Sequence, residues 1–284
     1  AAHTFQRYRE RAEHSLRGVD YYSTALWFLG REVELSSLAQ DLVAHFRYAP
    51  ETWCVAGNCF SLQNERETAI KFFERAVQLN PNYLFAYNLL GFEYLDLEEF
   101  EKSQQCFRAG IRTEPRNYKS WFGLGTYYYK LGKMDMAEIN FKKAHAINPN
   151  NPVIACHISV VLQRQQKLDV ALRLLNKTLV AHPSHSLALF RKAECLFAQR
   201  RYKQALAVLE QLKQLLPRES KVFLLAGKVL KKLNQNHLAL MHLSWAIDLD
   251  PRGGVHHPTS AHDRTQQDEE PVTALSTMGK SRSK

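Results

Sequence analysis

The chain has few of the residues on which disulfide-rich and membrane proteins depend. Its 284 residues include only five cysteines, at positions 54, 59, 106, 156 and 195, and no two of them form a Cys-x-x-Cys pair. An odd number of isolated thiols argues against a disulfide framework and indicates free, buried thiols in a reducing compartment. No apolar run reaches the length of about 18 residues that a membrane-spanning helix needs, so we expect no membrane span. The N-terminus also lacks the pattern of a signal peptide.

Motifs for catalysis, phosphate binding and metal binding are also scarce. The pair Gly123 and Gly125 lacks the third glycine of a dinucleotide-binding turn, and both glycines belong to the repeat pattern. Gly227 precedes a lysine, but no Walker glycine stands upstream and valine follows. His182 and His185 are too few for a zinc site. By elimination we expect no catalytic residue, no metal site and no cofactor.

Acidic residues are the minority among the charged ones. Lysine and arginine number 38 against 28 aspartates and glutamates, which gives a formal net charge of +10. Nucleic-acid recognition would need a basic stripe with interleaved aromatics or a known motif, and the chain shows only local clusters. We therefore predict a solvated basic surface and no nucleic-acid partner. The alternative is an acidic partner or a neighbouring subunit.

What the chain does contain is a repeat. Prolines stand at positions 81, 115, 149, 183, 217 and 251, so the interval between neighbours is constant at 34. Between Trp121 and Pro149 the apolar and small residues fall three, four or seven apart, the period of one buried helical face, with a break at Gly132. A 34-residue helical hairpin with a W-L-G-Y-A-F-A-P pattern is typical of the tetratricopeptide repeat.

One such hairpin cannot bury its own apolar faces, so the copies are expected to stack. The predicted fold class is all-α, a right-handed superhelical solenoid of antiparallel helix pairs. We predict a polar N-terminal lead over 1–17, a divergent helical hairpin over 18–49, six 34-residue units over 50–251 and a disordered tail over 252–284. Position 15 of each unit lies between its two helices. Three units have glycine or asparagine there, and three have residues less suited to ending a helix: Asn64, Gly132 and Asn234, against Glu98, Gln166 and Arg200.

The first helices of the units should line a concave groove through positions 2, 5, 6, 9, 12 and 13, which we expect to lie outside the core. The candidate peptide-binding residues are Asn58, Asn88, Leu89, Phe92, Glu93, Asp96, Lys119 and Phe122. The two asparagines can donate to and accept from a peptide backbone. The leucine and the two phenylalanines could form an apolar pocket, and the two carboxylates could receive a cation. The alternative is that these side chains only pack between repeats or cap helices.

The sixth unit supplies a different set of lining residues. Its groove positions hold lysines 221, 228, 231 and 232.

Three segments are more specific than the repeat pattern. They are YYSTALWFLGREVELSSLAQDL, ETWCVAGNCFSLQNERETAIKFFERAVQLNPNY and HLALMHLSWAIDLDP. From about Tyr21 to Pro251 the chain resembles the C-terminal repeat region of the cell division cycle protein 27 family, scaffold subunits of the anaphase-promoting complex, a ubiquitin ligase. The resemblance implies a non-catalytic role in the cell cycle, in the nucleus and cytoplasm, with the other subunits of the complex as partners.

The resemblance also implies a ligand. In that family the C-terminal repeats receive the Ile-Arg C-terminal tail of coactivator subunits, and homodimers form through N-terminal repeats that this chain lacks. The isoleucine would lie in the apolar pocket, the arginine against Glu93 or Asp96, and the backbone against the two asparagines. We assign Lys119 to the free carboxylate on its chemistry alone. The basic end GKSRSK departs from the acidic end expected of the family.

Two other functions are open at this point. One is a chaperone adaptor whose groove binds an acidic C-terminal peptide; Asn58 and Lys119 fit its pattern, but Cys54, Leu89 and Gly123 do not. The other is a regulatory segment of a repeat-bearing enzyme, which would need a catalytic domain elsewhere.

Overall fold

The structure is a computed structural model that describes residues 4, 5, 7 and 15–250. Residues 15–250 form fourteen α-helices and no β-strand, so the predicted all-α fold is confirmed. The first helices of the seven pairs are α1 Val19–Leu29, α3 Pro50–Leu62, α5 Leu84–Asp96, α7 Tyr118–Lys130, α9 Pro152–Arg164, α11 Ser186–Ala198 and α13 Ser220–Lys232. The second helices are α2 Glu32–His45, α4 Arg66–Leu79, α6 Phe100–Thr113, α8 Met134–Ile147, α10 Leu168–Ala181, α12 Tyr202–Leu215 and α14 Asn236–Leu249.

The helix boundaries repeat with the period of the prolines. From Pro50 onwards every first helix has 13 residues and every second helix has 14, and equivalent helices of neighbouring units begin one full period apart. The preceding pair differs, because α1 has only 11 residues and is capped at its C-terminus by Gly30, whose φ is 65°. The tail predicted over 252–284, and all of the lead over 1–17 except residues 4, 5, 7 and 15–17, lie outside the described residues.

The turns between paired helices share one conformation. All six residues at position 15 have positive φ, between 61° and 73°: Asn64, Glu98, Gly132, Gln166, Arg200 and Asn234. In each unit the next N–H donates back into the first helix, as Glu99 N does to Tyr94 O at 2.8 Å. This hydrogen bond closes the helix end in a Schellman-type turn. The packing of the helix pair therefore imposes the left-handed conformation even where the residue disfavours it.

Glycines set the distance between the two helices of a unit. A Cβ at Gly91 would lie 2.5 Å from Phe107 Cε1, and Gly57 and Gly125 approach the equivalent phenylalanines, Phe73 and Phe141, just as closely. Phe107 is fully buried and also lies against Gly123 in the following unit. This ring therefore holds two units together.

No helix between residues 15 and 250 is long and apolar enough to cross a membrane.

Candidate peptide-binding groove

The eight candidate residues lie on the first helices of three successive units. Asn58 is on α3, and Lys119 and Phe122 are on α7. The other five candidates, which fall between Asn88 and Asp96, are all on α5. The structure places these helices side by side, since α5 contacts both α3 and α7. Stacking of the repeats thus brings residues 30 or more positions apart onto neighbouring helices.

Asn58 joins the first unit to the hairpin before it. Its side chain is only 4% exposed, and Nδ2 donates to Ser23 Oγ on α1 at 2.9 Å. Ser23 Oγ in turn donates to the carbonyl oxygen of Asp20 at 2.8 Å. This chain of hydrogen bonds fixes the amide of Asn58 and uses one of the two N–H groups of Nδ2 within the protein.

Asn88 makes the corresponding link to the following unit through the other end of its amide. It is also 4% exposed, and its Oδ1 accepts from Ser120 Oγ on α7 at 2.8 Å. The expectation that position 5 lies outside the core is therefore wrong for the first units. Cys54, Asn88 and Phe122, which all occupy position 5, are 0%, 4% and 7% exposed because the next first helix covers them.

The phenylalanines of the predicted apolar pocket belong to the hydrophobic core or pack against it. The Phe122 ring is enclosed by other rings, with centroids 6.5 Å from Phe92, 5.3 Å from Phe141 and 4.9 Å from His157. Phe92 also meets the Phe107 ring edge-on at 5.1 Å. Phe92 and Leu89 are only partly buried, so these two offer the accessible apolar surface.

The two predicted carboxylates already have cationic neighbours. Arg66 Nη1 lies 2.6 Å from Asp96 Oδ2 and 3.4 Å from Glu93 Oε2. Lys130 Nζ lies 3.1 Å from Asp96 Oδ1 and donates to the Leu95 carbonyl at 2.9 Å. Asp96 therefore pairs with two cations, Arg66 and Lys130. Glu93 has a longer contact, with Arg66.

Arg66 was not predicted to belong to the site, because it begins a second helix. No sequence period connects it with the carboxylates of α5.

Burial dominates the electrostatics of Glu93. It raises the pKa of this carboxyl group, while the hydrogen bond from Ser61 Oγ and the charge of Arg66 lower the pKa and Asp96 raises it further. A raised carboxyl pKa means that solvent and neighbours compensate the negative charge incompletely. An additional cation at Glu93 would supply that compensation.

Lys119 lies between two aromatic rings. Its Nζ is 5.2 Å from the ring centroid of Tyr21 and 5.4 Å from that of Phe85, distances that allow cation–π contact. Burial lowers the pKa of this lysine, and the charge of Asp20 opposes that effect. Among the described residues, no carboxylate oxygen lies within 4.0 Å of Nζ. The two rings thus position the ammonium without neutralising its charge.

One hint of this cluster is present in the repeat register. Phe85 and Lys119 both occupy position 2 of neighbouring units, whereas Tyr21 precedes the regular units and was not foreseen.

The repeated helix pairs define a class, the tetratricopeptide-repeat proteins. A profile described as "Tetratricopeptide repeat" matches residues 50–83, and one described as "Cytochrome c-type biogenesis protein H TPR domain" matches residues 92–223. The crystal structure of the APC/C hetero-tetramer Cut9-Hcn1 superposes with a TM-score of 0.75 at 16% identity, over 86% of this chain and 48% of that one. At that identity the likeness concerns the fold alone.

Sequence relatives identify the family. The chain is 40% identical over 246 residues to anaphase-promoting complex subunit 3 of Schizosaccharomyces pombe, covering 87% of this chain and 37% of that protein. It is 38% identical over 251 residues to cell division cycle protein 27 homolog B of Arabidopsis thaliana, covering 88% of this chain and 34% of that protein. The chain belongs to the cell division cycle protein 27 family, and it spans about a third of the length of these relatives.

Proposed function

We propose that this chain acts as part of a non-catalytic scaffold subunit of the anaphase-promoting complex, and that its groove binds the C-terminal Ile-Arg tail of coactivator subunits. Membership in the cell division cycle protein 27 family supports the scaffold role, because relatives carry the name of a subunit of that complex. Its proposed partners are the other subunits and the coactivator tails, in the nucleus and cytoplasm. Dimerisation is proposed only for full-length members of the family.

The two asparagines are the observation that carries the ligand proposal. Asn58 uses Nδ2 within the protein and Asn88 uses Oδ1. Within the described part of the chain, Asn58 Oδ1 accepts no hydrogen bond and Asn88 Nδ2 donates none. One amide thus offers an acceptor and the other a donor, which are the two groups that an extended peptide backbone requires.

The neighbouring side chains suit the rest of such a tail. The partly exposed Leu89 and Phe92 offer apolar surface to the isoleucine, with Phe122 packed behind them. The arginine of the peptide would approach Glu93. Arg66 contacts both Glu93 and Asp96, and its contact with Glu93 is the longer of the two. The terminal carboxylate would bind Lys119, since a buried anion needs a cationic partner.

Titration of the purified chain with fluorescently labelled peptides tests this function. A short peptide ending in free Ile-Arg should bind, while its C-terminally amidated form and an acidic chaperone-tail peptide should bind much more weakly. Lys119→Met should abolish the preference for the free carboxylate. Lys143→Met is the matched control, because Lys143 lies over the Trp121 ring at 4.3 Å on a second helix. Binding of the acidic peptide alone would contradict the proposal and favour a chaperone adaptor.

A further inference from the structure

Helix α13, the first helix of the sixth unit, exposes a cationic face. Its sequence, Ser220–Lys232, contains four lysines and no carboxylate. The exposed residues are these lysines and Leu224: Lys221, Leu224, Lys228, Lys231 and Lys232. They are spaced three, four, three and one residue apart and so share one side of the helix. The opposite side is buried against the neighbouring helices.

Three of these charges are not neutralised by the protein. Among the residues that the structure describes, no carboxylate oxygen lies within 4.0 Å of the ammonium groups of Lys228, Lys231 or Lys232. The helix dipole favours cations in the last turn, which accounts for Lys231 and Lys232 but not for Lys228, a turn earlier. Like charges three or four residues apart repel one another, and a bound anion would relieve that repulsion.

The cationic face belongs to the same series of first helices as the candidate groove. α13 packs on α11, as α5 packs on α3, and it lies three units beyond α7. Adjacent packed helices are about 8–10 Å apart, so the path along the array from α7 to α13, over three such steps, is roughly 25–30 Å long. An extended peptide covers that distance in about eight or nine residues. At the other end of the groove, the rings of Tyr21 and Phe85 approach to 6.2 Å beside Lys119.

We propose that Lys228, Lys231 and Lys232 form a second subsite of the groove, which binds aspartate or glutamate side chains about eight to ten residues upstream of a ligand's C-terminus. The inference rests on the proposed function, because it assumes that the C-terminus lies beside Lys119. It makes the partner a peptide with an acidic segment followed by an uncharged spacer and the Ile-Arg end. In this proposal the upstream residues run from Lys119 towards α13, away from the rings of Tyr21 and Phe85.

A peptide suits this face better than a nucleic acid. Single-stranded nucleic acids bind where aromatic rings stack on the bases beside the cations. The one aromatic residue of α13, Phe223, instead packs against His242 and Trp245, with both centroid distances 5.9 Å. The exposed Leu224 supplies aliphatic surface between the lysines.

The test compares three peptides of about fourteen residues ending in free Ile-Arg. One carries three glutamates eight to ten residues from the C-terminus, the second carries glutamines there, and the third carries the glutamates only four to six residues from the end. The first should bind about five- to tenfold more tightly than the second at low ionic strength. The third should show no such gain. Salt at about 0.5 M should remove the difference by screening.

The variant Lys228→Gln/Lys231→Gln/Lys232→Gln should lose the glutamate-dependent gain and keep the binding of the glutamine peptide. The control, Lys71→Gln/Lys177→Gln/Lys203→Gln, changes net charge equally at exposed lysines on second helices and should keep the gain.

An equal loss in both variants would show a general charge effect and overturn the subsite. A single-stranded oligonucleotide that binds these lysines more tightly than the first peptide would overturn the choice of ligand. Failure of the glutamine peptide to bind at all would instead overturn the proposed function, since that peptide does not depend on α13.

Discussion

Ser120 Oγ donates a hydrogen bond to Asn88 Oδ1 at 2.8 Å, across the boundary between the second and third units. Both residues are almost completely buried, at 0% and 4% exposure. The Nδ2 group at the other end of the same amide donates no hydrogen bond within the described residues. If Asn88 binds the peptide as proposed, the same residue serves both binding and stability, and substitutions must separate the two roles.

Asn88→Ala should lower both the stability of the array and its affinity for the peptide. It leaves Ser120 Oγ without its acceptor, so we expect a loss of about 1–2 kcal/mol in the free energy of unfolding, together with weaker binding of the Ile-Arg peptide. Ser120→Ala removes the same hydrogen bond but keeps the Nδ2 donor, so it should lower stability while preserving most of the affinity. Urea unfolding and peptide titration of both variants provide the measurement. Equal losses of affinity in the two would argue against a role for Asn88 in binding.

Arg200→Gly should stabilise the array. Arg200 has a φ of 61°, which is unfavourable for a residue with a side chain. Glycine should gain about 0.5–1 kcal/mol after its greater freedom in the unfolded state is allowed for. The neighbouring Arg201 is the matched control, because its φ is −85° and Arg201→Gly should destabilise. Thermal or urea unfolding decides the sign, and a lower midpoint for Arg200→Gly would contradict the expected strain.

Gly123→Ala should disrupt the contact between the second and third units. Its new methyl group would overlap the Phe107 ring, and overpacking of this kind costs about 1–3 kcal/mol. Phe107→Leu alone should leave a cavity, but in the Gly123→Ala background it should recover part of the lost stability. A double-mutant cycle measured by urea unfolding tests this coupling. Additive effects would mean that the alanine is accommodated elsewhere.

The repeat made much of the fold predictable from the sequence. The evenly spaced prolines set the period with which the helices recur, so that first helices begin at Pro50, Leu84 and Tyr118. The left-handed turns at Glu98 and Arg200 were less predictable, because helix packing overrides the local preference of these residues.

The candidate site was predictable only in part. The helical period places Asn58 and Asn88 on the first helices of their units, but it does not give the partners of their amides. Ser23 lies in a hairpin outside the register of the repeat, and Arg66 reaches Asp96 from a second helix. Such contacts depend on side-chain conformations between units, which a period within one unit does not specify.

Acid should weaken binding of the Ile-Arg peptide through Glu93. Burial raises the pKa of this carboxyl group, so protons compete with the ligand's guanidinium at a higher pH than for an ordinary glutamate. The folded state holds this proton more tightly than the unfolded state, so Glu93 itself favours folding as the pH falls. Loss of affinity at acidic pH would then not reflect unfolding caused by Glu93.

Glu93→Gln separates the two effects. It should bind the peptide more weakly at pH 7.5 and show little further change down to pH 5.5. A peptide ending in Ile-Ala should show equally little dependence on pH with the unmodified chain. A pH profile shared by Glu93→Gln and the unmodified chain would exclude Glu93 as the partner of the arginine.

Three histidines should make the array less stable as the pH falls, which is opposite to the effect of Glu93. Burial lowers the pKa of His242, the charge of Lys213 lowers it further, and Glu210 opposes them; burial also lowers the pKa of His145 and of His185. A lowered pKa in the folded state means that the unfolded chain binds protons more readily. The stabilising contribution is therefore present above the unfolded value of about 6.5 and is lost as the pH falls through it towards the folded value.

His242→Phe should reduce this pH dependence. The ring of His242 lies 5.9 Å from that of Phe223 and 5.1 Å from that of Trp245, so a phenylalanine retains aromatic packing without a titrating group. We expect the difference in urea midpoint between pH 7.5 and pH 5.5 to become smaller than in the unmodified chain. His237→Phe, at an exposed position of the same helix, should keep the full difference. If both variants keep it, the acid sensitivity arises from groups other than His242, and the buried imidazole tolerates its proton through local rearrangement.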